Sequence, residues 1–118
     1  MRAILGSGPL PKINERTMTD PEEVIMEAKK ARESGFGLDA EEYEPGLSCM
    51  AKALRLPGSD FAGAMSVSGP TARMRDGATR ERFRDCLSRA AAEAQTALEA
   101  AAGVDAVVAP APAAPCSA

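Results

Sequence analysis

The chain has no histidine and no tryptophan, and only three phenylalanines and one tyrosine. Without histidine, the commonest general base and the commonest metal ligand are both missing. Catalysis would have to rest on carboxylates, hydroxyls or a thiol, and a zinc site on scattered cysteines and acids. The cysteines, Cys49, Cys86 and Cys116, are odd in number, far apart and in no CxxC spacing. Neither a disulfide framework nor a zinc knuckle follows from them, and a reduced, cytoplasmic setting is the expectation. No long apolar run is present, so neither a signal peptide nor a membrane span is expected. A strongly basic surface is lacking too. The net charge of −3 argues against a broad phosphate-gripping face. The basic residues between Arg73 and Arg89 are interleaved with Asp76, Glu81 and Asp85, the pattern of a solvated helix face.

What is present fits one small domain with a modest core, at 118 residues. Gly6, Gly8, Pro9 and Pro11 make residues 1–18 mainly loop, after what reads as the last turn of a helix at Met1–Leu5. A helix is predicted from Pro21 to Ser34. Thr19 and Asp20 suit its N-cap, Pro21 its first position, and Glu22 and Glu23 the positive end of its dipole. Lys29, Lys30 and Arg32 lie near its other end and Gly35 stops it. Val24, Ala28 and Ala31 form its inner stripe, with Ile25 beside them. A short strand over 36–39 follows, then an acidic turn over 40–45. Two strands, about 47–56 and 61–68, flank Pro57-Gly58-Ser59-Asp60, a hairpin connection. Residues 73–78 read as loop. Thr79 reads as the N-cap of a long helix reaching Ala102 and ended by Gly103, with Phe83, Leu87, Ala90, Ala91, Ala94 and Leu98 on its inner face. The tail from Gly103 is rich in Ala and Pro and is expected to be disordered.

The hairpin carries the candidate chemistry. Pairing Leu56 with Phe61 across the turn puts Cys49 opposite Ser68, Ala51 opposite Ser66 and Ala53 opposite Ala64 on one face. The other face then carries Met50 opposite Val67 and Lys52 opposite Met65. The bulky face calls for a helix, and the long C-terminal helix is the candidate. The small face leaves room for a ligand. Ser66 and Ser68 point the same way and could donate to a carboxylate without burying an unpaired cation. Asp39, on the neighbouring strand, could accept from a ligand hydroxyl or hold a loop amide. The plainer readings stand beside these: Cys49 as a small hydrophobe, the serines satisfying backbone or water, and Asp39 to Glu42 as a solvated acidic turn. Cys49 as a nucleophile would lack a base and an oxyanion arrangement, so an enzyme is not expected.

The order of three blocks adds a further indication. LPKINERTMTDPEEV, ARESGFGLDAEEYEPGLSCMA and AGAMSVSGPTARM resemble, in sequence and in spacing, the C-terminal half of the effector-sensing domain of IclR-type bacterial transcriptional regulators. The resemblance covers residues 4–102 or so. It implies an α/β fold of the α+β type: a partial GAF-like domain with helices packed on an antiparallel sheet, the effector on the concave side. It also implies that Asp39, Cys49, Ser66 and Ser68 match pocket positions, that Glu42 fixes a loop, and that Gly46, Gly69 and Pro70 are backbone-geometry positions.

The winged helix-turn-helix of the family and the first half of its sensor domain have no counterpart in this sequence. The sheet is therefore expected to keep about three strands, with an unpaired edge. The organisation read here is a partial sensor domain over 1–102 and a tail over 103–118. The expected partners are a small carboxylic or aromatic acid effector, and either further copies of the chain or subunits of a full-length regulator. The chain itself is expected to contact neither DNA nor membrane and to need no cofactor. The alternative roles are a truncated module that forms mixed oligomers with intact regulators, or a remnant that binds nothing.

Overall fold

The computed structural model describes residues 2–6 and 8–103. The tail expected to be disordered falls, from residue 104 on and with Cys116, outside the described residues. Seven elements follow one another: α1 (Arg2–Leu5), α2 (Pro21–Ser34), β1 (Gly37–Ala40), β2 (Leu47–Arg55), β3 (Ala62–Pro70), α3 (Thr71–Arg75) and α4 (Gly77–Ala101). Helix α2 begins where its sequence dictates. The Asp20 carboxylate accepts from the Glu22 amide at 2.9 Å, Pro21 occupies the first turn, and Gly35 ends the helix at φ 78°, which a glycine adopts without a Cβ penalty.

The strands form one antiparallel sheet in the order β1-β2-β3. The hairpin register is the one its alternation predicts, with Cys49 opposite Ser68, Met50 opposite Val67 and Ala51 opposite Ser66. The ladder stops at Arg55–Ala62, however, and Leu56 and Phe61 do not pair. Phe61 turns back along its own strand, where its ring lies so close to Gly63 that a Cβ there would stand 3.0 Å from the ring. The Ser59 hydroxyl holds the turn by accepting from the Phe61 amide at 3.0 Å.

Met50, Met74 and Leu87 form the centre of the core, with Phe36, Met65, Val67 and Phe83 packed against them. This is the bulky face of the sheet closed by α4, as the sequence pattern required, with Leu87 and Ala91 as the buried residues of that helix. Ala90, placed on the inner face by periodicity, is exposed. Lys52 sits on the bulky face by laying its ammonium over the Phe36 ring, 4.6 Å from the centroid, and Arg84 approaches the same ring at 4.6 Å. At the far end, the Gln95 side chain accepts from the Arg55 amide at 3.0 Å and donates to the Arg55 carbonyl, tying α4 to the end of β2.

Two expectations about the segment after the hairpin need correction. Of residues 73–78, expected to be loop, 73–75 end a short helix, Thr71–Arg75, because Met74 is pulled into the core, and 77–78 open α4. The long helix is capped by Asp76 and not by Thr79. The Asp76 carboxylate accepts from the Thr79 amide at 2.8 Å, so the helix begins at Gly77.

Candidate functional site

The small-residue face of the sheet is the open one. On it Ser66, Ser68, Ala53 and Ala64 are exposed, while Asp39, Cys49 and Ala51 are half-buried. Asp39, Cys49 and Ser68 stand in one row across the sheet, Asp39 opposite Cys49 and Cys49 opposite Ser68. The Cys49 thiol and the Ser68 hydroxyl are 3.0 Å apart and share a hydrogen bond. One oxygen of Asp39 accepts from the Glu42 amide at 2.8 Å, which commits the carboxylate to holding the following loop. Ser66 lies one step toward the hairpin, opposite Ala51. The four residues singled out from sequence therefore share a face, and three of them form a contiguous line.

Beside that line, on the same face, runs a groove of about 540 Å³ between the sheet and α2. Its floor is Gly37, Ala51, Ala53 and Ala64, and Ala28 and Ala31 of α2 form one wall. Arg32, Lys52 and Arg55 also line it. Sequence reasoning missed these three cations, although strand alternation puts Arg55 on the same face as Ala51 and Ala53 and could have supplied that one. Arg32 reaches the sheet only because Gly35 reverses the chain between α2 and β1, and strand alternation assigns Lys52 to the opposite face. A second groove of about 500 Å³ opens on the other side of β1, with Leu38, Met50, Arg80 and Arg84 among its lining residues. It is of similar size, but it lies away from the serines and the thiol.

The loop closing one end of the face is held from three directions. Asn14 donates to the Glu41 carbonyl at 2.9 Å, and the Thr17 hydroxyl donates to the Glu42 carbonyl at 2.5 Å. Glu41 has a φ of 67°, a left-handed conformation uncommon outside glycine, and its side chain secures it there. One carboxylate oxygen accepts from the Gly46 amide at 2.9 Å, and the other meets Arg16 at 3.0 Å and Arg75 at 3.7 Å. These contacts, the Gly46 amide foremost, hold the Glu41 carboxyl below the usual carboxylate range. Glu41 is thus a loop-fixing side chain that sequence reasoning did not name, while Glu42, to which the resemblance assigned that role, contributes its backbone amide and carbonyl and a hydrogen bond between its carboxylate and the Ala40 backbone.

Glu42 is shifted the other way, its acidity reduced first by burial and then by the Asp39 carboxylate beside it. The folded chain therefore holds the Glu42 proton to higher pH than the unfolded chain does. Its effect on stability is most favourable below the ordinary value of 4.5 and is lost as pH rises through the folded value. Glu42→Gln is expected to raise the melting temperature at pH 7 and to change it little at pH 4, as checked by thermal melts at both. Glu41 works in the opposite sense. Its depressed value supplies stability above the ordinary range that is lost on acidification.

Among the described residues, no group of three or more His, Cys, Asp or Glu is placed to hold a metal ion. No helix among them is long and apolar enough to cross a membrane.

Comparison with known proteins gives a consistent result. A family model described as bacterial transcriptional regulator IclR C-terminal matches residues 1–96. The transcriptional regulator BhcR of Paracoccus denitrificans is 37% identical over 67 residues, a match covering 57% of this chain and 24% of BhcR. The transcriptional repressor AllR of Escherichia coli is 34% identical over 83 residues, covering 70% of this chain and 29% of AllR. The chain thus spans about a quarter of the length of these curated relatives. Among solved structures, a transcriptional regulator from Rhodococcus sp. RHA1 superposes with a TM-score of 0.73 at 26% identity, over 83% of this chain and 40% of that one.

Proposed function

The chain belongs to the IclR family of bacterial transcriptional regulators, as part of their C-terminal effector-binding domain, and on that premise we propose that its open sheet face binds a small carboxylic or aromatic acid. The observation that carries this reading is the composition of the face. An alanine-floored groove of about 540 Å³, with Arg32, Lys52 and Arg55 among its lining residues, adjoins the Asp39–Cys49–Ser68 row and Ser66. An apolar floor receives a hydrocarbon or a ring, cations and hydroxyls receive a carboxylate, and Asp39 keeps acceptor capacity for a ligand hydroxyl. Residues 1–102 are the sensing unit in this reading. The chain acts without catalysing a reaction, inside the cell, and influences transcription through a DNA-binding region outside this sequence.

Titration calorimetry against small carboxylic and aromatic acids tests the assignment of residues. Ser68→Ala is expected to weaken the best acid about tenfold, the loss of one hydrogen bond to a charged group. Asp39→Ala is expected to weaken it further if the acid carries a hydroxyl. Saturable binding left unchanged by both substitutions would overturn the assignment.

A further inference from the structure

Asp39 and Glu41 are coupled through a single peptide group. One oxygen of Asp39 accepts from the Glu42 amide at 2.8 Å, and the direction of that N–H is set by the backbone of residue 41. Rotation about φ of Glu41 carries the Glu42 amide with it, while Asp39 stays in its ladder opposite Cys49. The hydrogen bond therefore depends on Glu41 keeping its φ of 67°. A residue with a Cβ does not settle there unaided.

What holds it is its own side chain. The Glu41 carboxylate is 12% exposed and accepts from the Gly46 amide at 2.9 Å, with Arg16 at 3.0 Å and Arg75 at 3.7 Å. The segment before α2, the β1–β2 connection and α3 thus converge on one group. Glu41 lines neither of the two larger grooves, so its route to a ligand runs through Asp39. We propose that Glu41 is a positioning residue of the acid site, which through the Glu42 amide aims the other oxygen of Asp39 at the hydroxyl of a hydroxy acid. The proposal rests on the reading of the open face as an acid site. It adds that the face prefers an acid bearing a hydroxyl to the same acid without one, and that Glu41 sets the preference. A carboxylate with one oxygen fixed presents the other in one direction, whereas a freely turning one makes no such geometric demand.

Titration calorimetry of the full chain with matched pairs, 4-hydroxybenzoate against benzoate and lactate against propionate, tests the proposal. In the wild type the hydroxylated member of at least one pair is expected to bind about tenfold more tightly, the effect of one hydrogen bond to a charged group. Glu41→Ala is expected to reduce that ratio to below about threefold, chiefly by weakening the hydroxylated member. In an Asp39→Ala background, where the acceptor is gone, Glu41→Ala is expected to leave the ratio unchanged. A role in stability alone would weaken both members equally and would persist without Asp39. Glu41→Gln keeps the size and an acceptor for the Gly46 amide but loses the charge facing Arg16 and Arg75. Its ratio is expected to fall between those of the wild type and Glu41→Ala, and it decides the question if Glu41→Ala does not melt cooperatively. A wild-type ratio in the folded Glu41 variants, or a wild type that binds without preferring the hydroxyl, overturns the proposal and leaves the acid-site reading standing. A wild type that binds none of the four acids overturns the proposal together with that reading.

Discussion

Met50→Ala is expected to abolish the cooperative melt of this chain or bring it close to ambient temperature. Met50 is 1% exposed and is the largest fully buried side chain among the described residues. Truncating a buried methionine to alanine costs about 2–5 kcal/mol through lost transfer energy and the cavity left behind. A native domain has only about 5–15 kcal/mol in total, and little here supports the upper end. Among the described residues the buried hydrophobics are Met50, Leu54, Met74, Leu87 and Ala91, a thin core on a three-stranded sheet. Met50→Leu, which roughly conserves volume, is expected to cost less than about 1.5 kcal/mol. Urea unfolding of the two variants side by side checks both outcomes. A Met50→Ala midpoint equal to that of the wild type would remove Met50 from the centre of the core.

The second large effect is expected at Thr71. Its hydroxyl and that of Ser48 are 2.9 Å apart in a buried site, and the Thr71 amide donates to the Gly46 carbonyl at 2.8 Å. The pair fastens α3 to the start of β2 and to the loop that Asp39 and Glu41 hold. Thr71→Val keeps the shape but leaves the Ser48 hydroxyl buried without its partner, at a cost of about 1–3 kcal/mol. Ser48→Ala with Thr71→Val removes both hydroxyls and is expected to recover the part of that loss that comes from the unpartnered Ser48, but not the part from the hydrogen bond that Thr71 also makes to the Glu41 carboxylate. A double variant no more stable than Thr71→Val would show that the hydroxyl pair is not the source of the effect. A double-mutant cycle by chemical denaturation reads the coupling directly.

Much of this arrangement is legible in the sequence because it is set by neighbouring residues. Asp20, Pro21 and Gly35 fix both ends of α2 by local hydrogen bonding and backbone preference, and these ends agree with the structure to the residue. The β2–β3 register follows from the period of two and the short connection, so the line from Cys49 to Ser68 could be read before any coordinates. What escaped the sequence depends on tertiary packing or on close competition between similar residues. The start of the expected loop over 73–78 is instead the end of helix α3 because Met74 finds the core, which no local propensity announces. Asp76 and Thr79 are both good caps, and the helix begins at the earlier one. Glu41 and Glu42 are adjacent and chemically alike, and only the path of the loop decides which carboxylate meets the Gly46 amide. The cations of the groove come together from α2 and from β2 through the chain reversal at Gly35.

The central claim is that this chain still senses a small acid on its open sheet face. The most direct test is a thermal-shift screen of the full chain against small carboxylic and aromatic acids. A ligand that binds only the folded state and is present at a hundred times its Kd stabilises by about 2.7 kcal/mol. For a domain of this size, that is a rise of several degrees in melting temperature. The account predicts at least one such rise, absent in the Ser68→Ala variant at the same concentration. A wild-type chain that melts cooperatively and is shifted by none of these acids would contradict it.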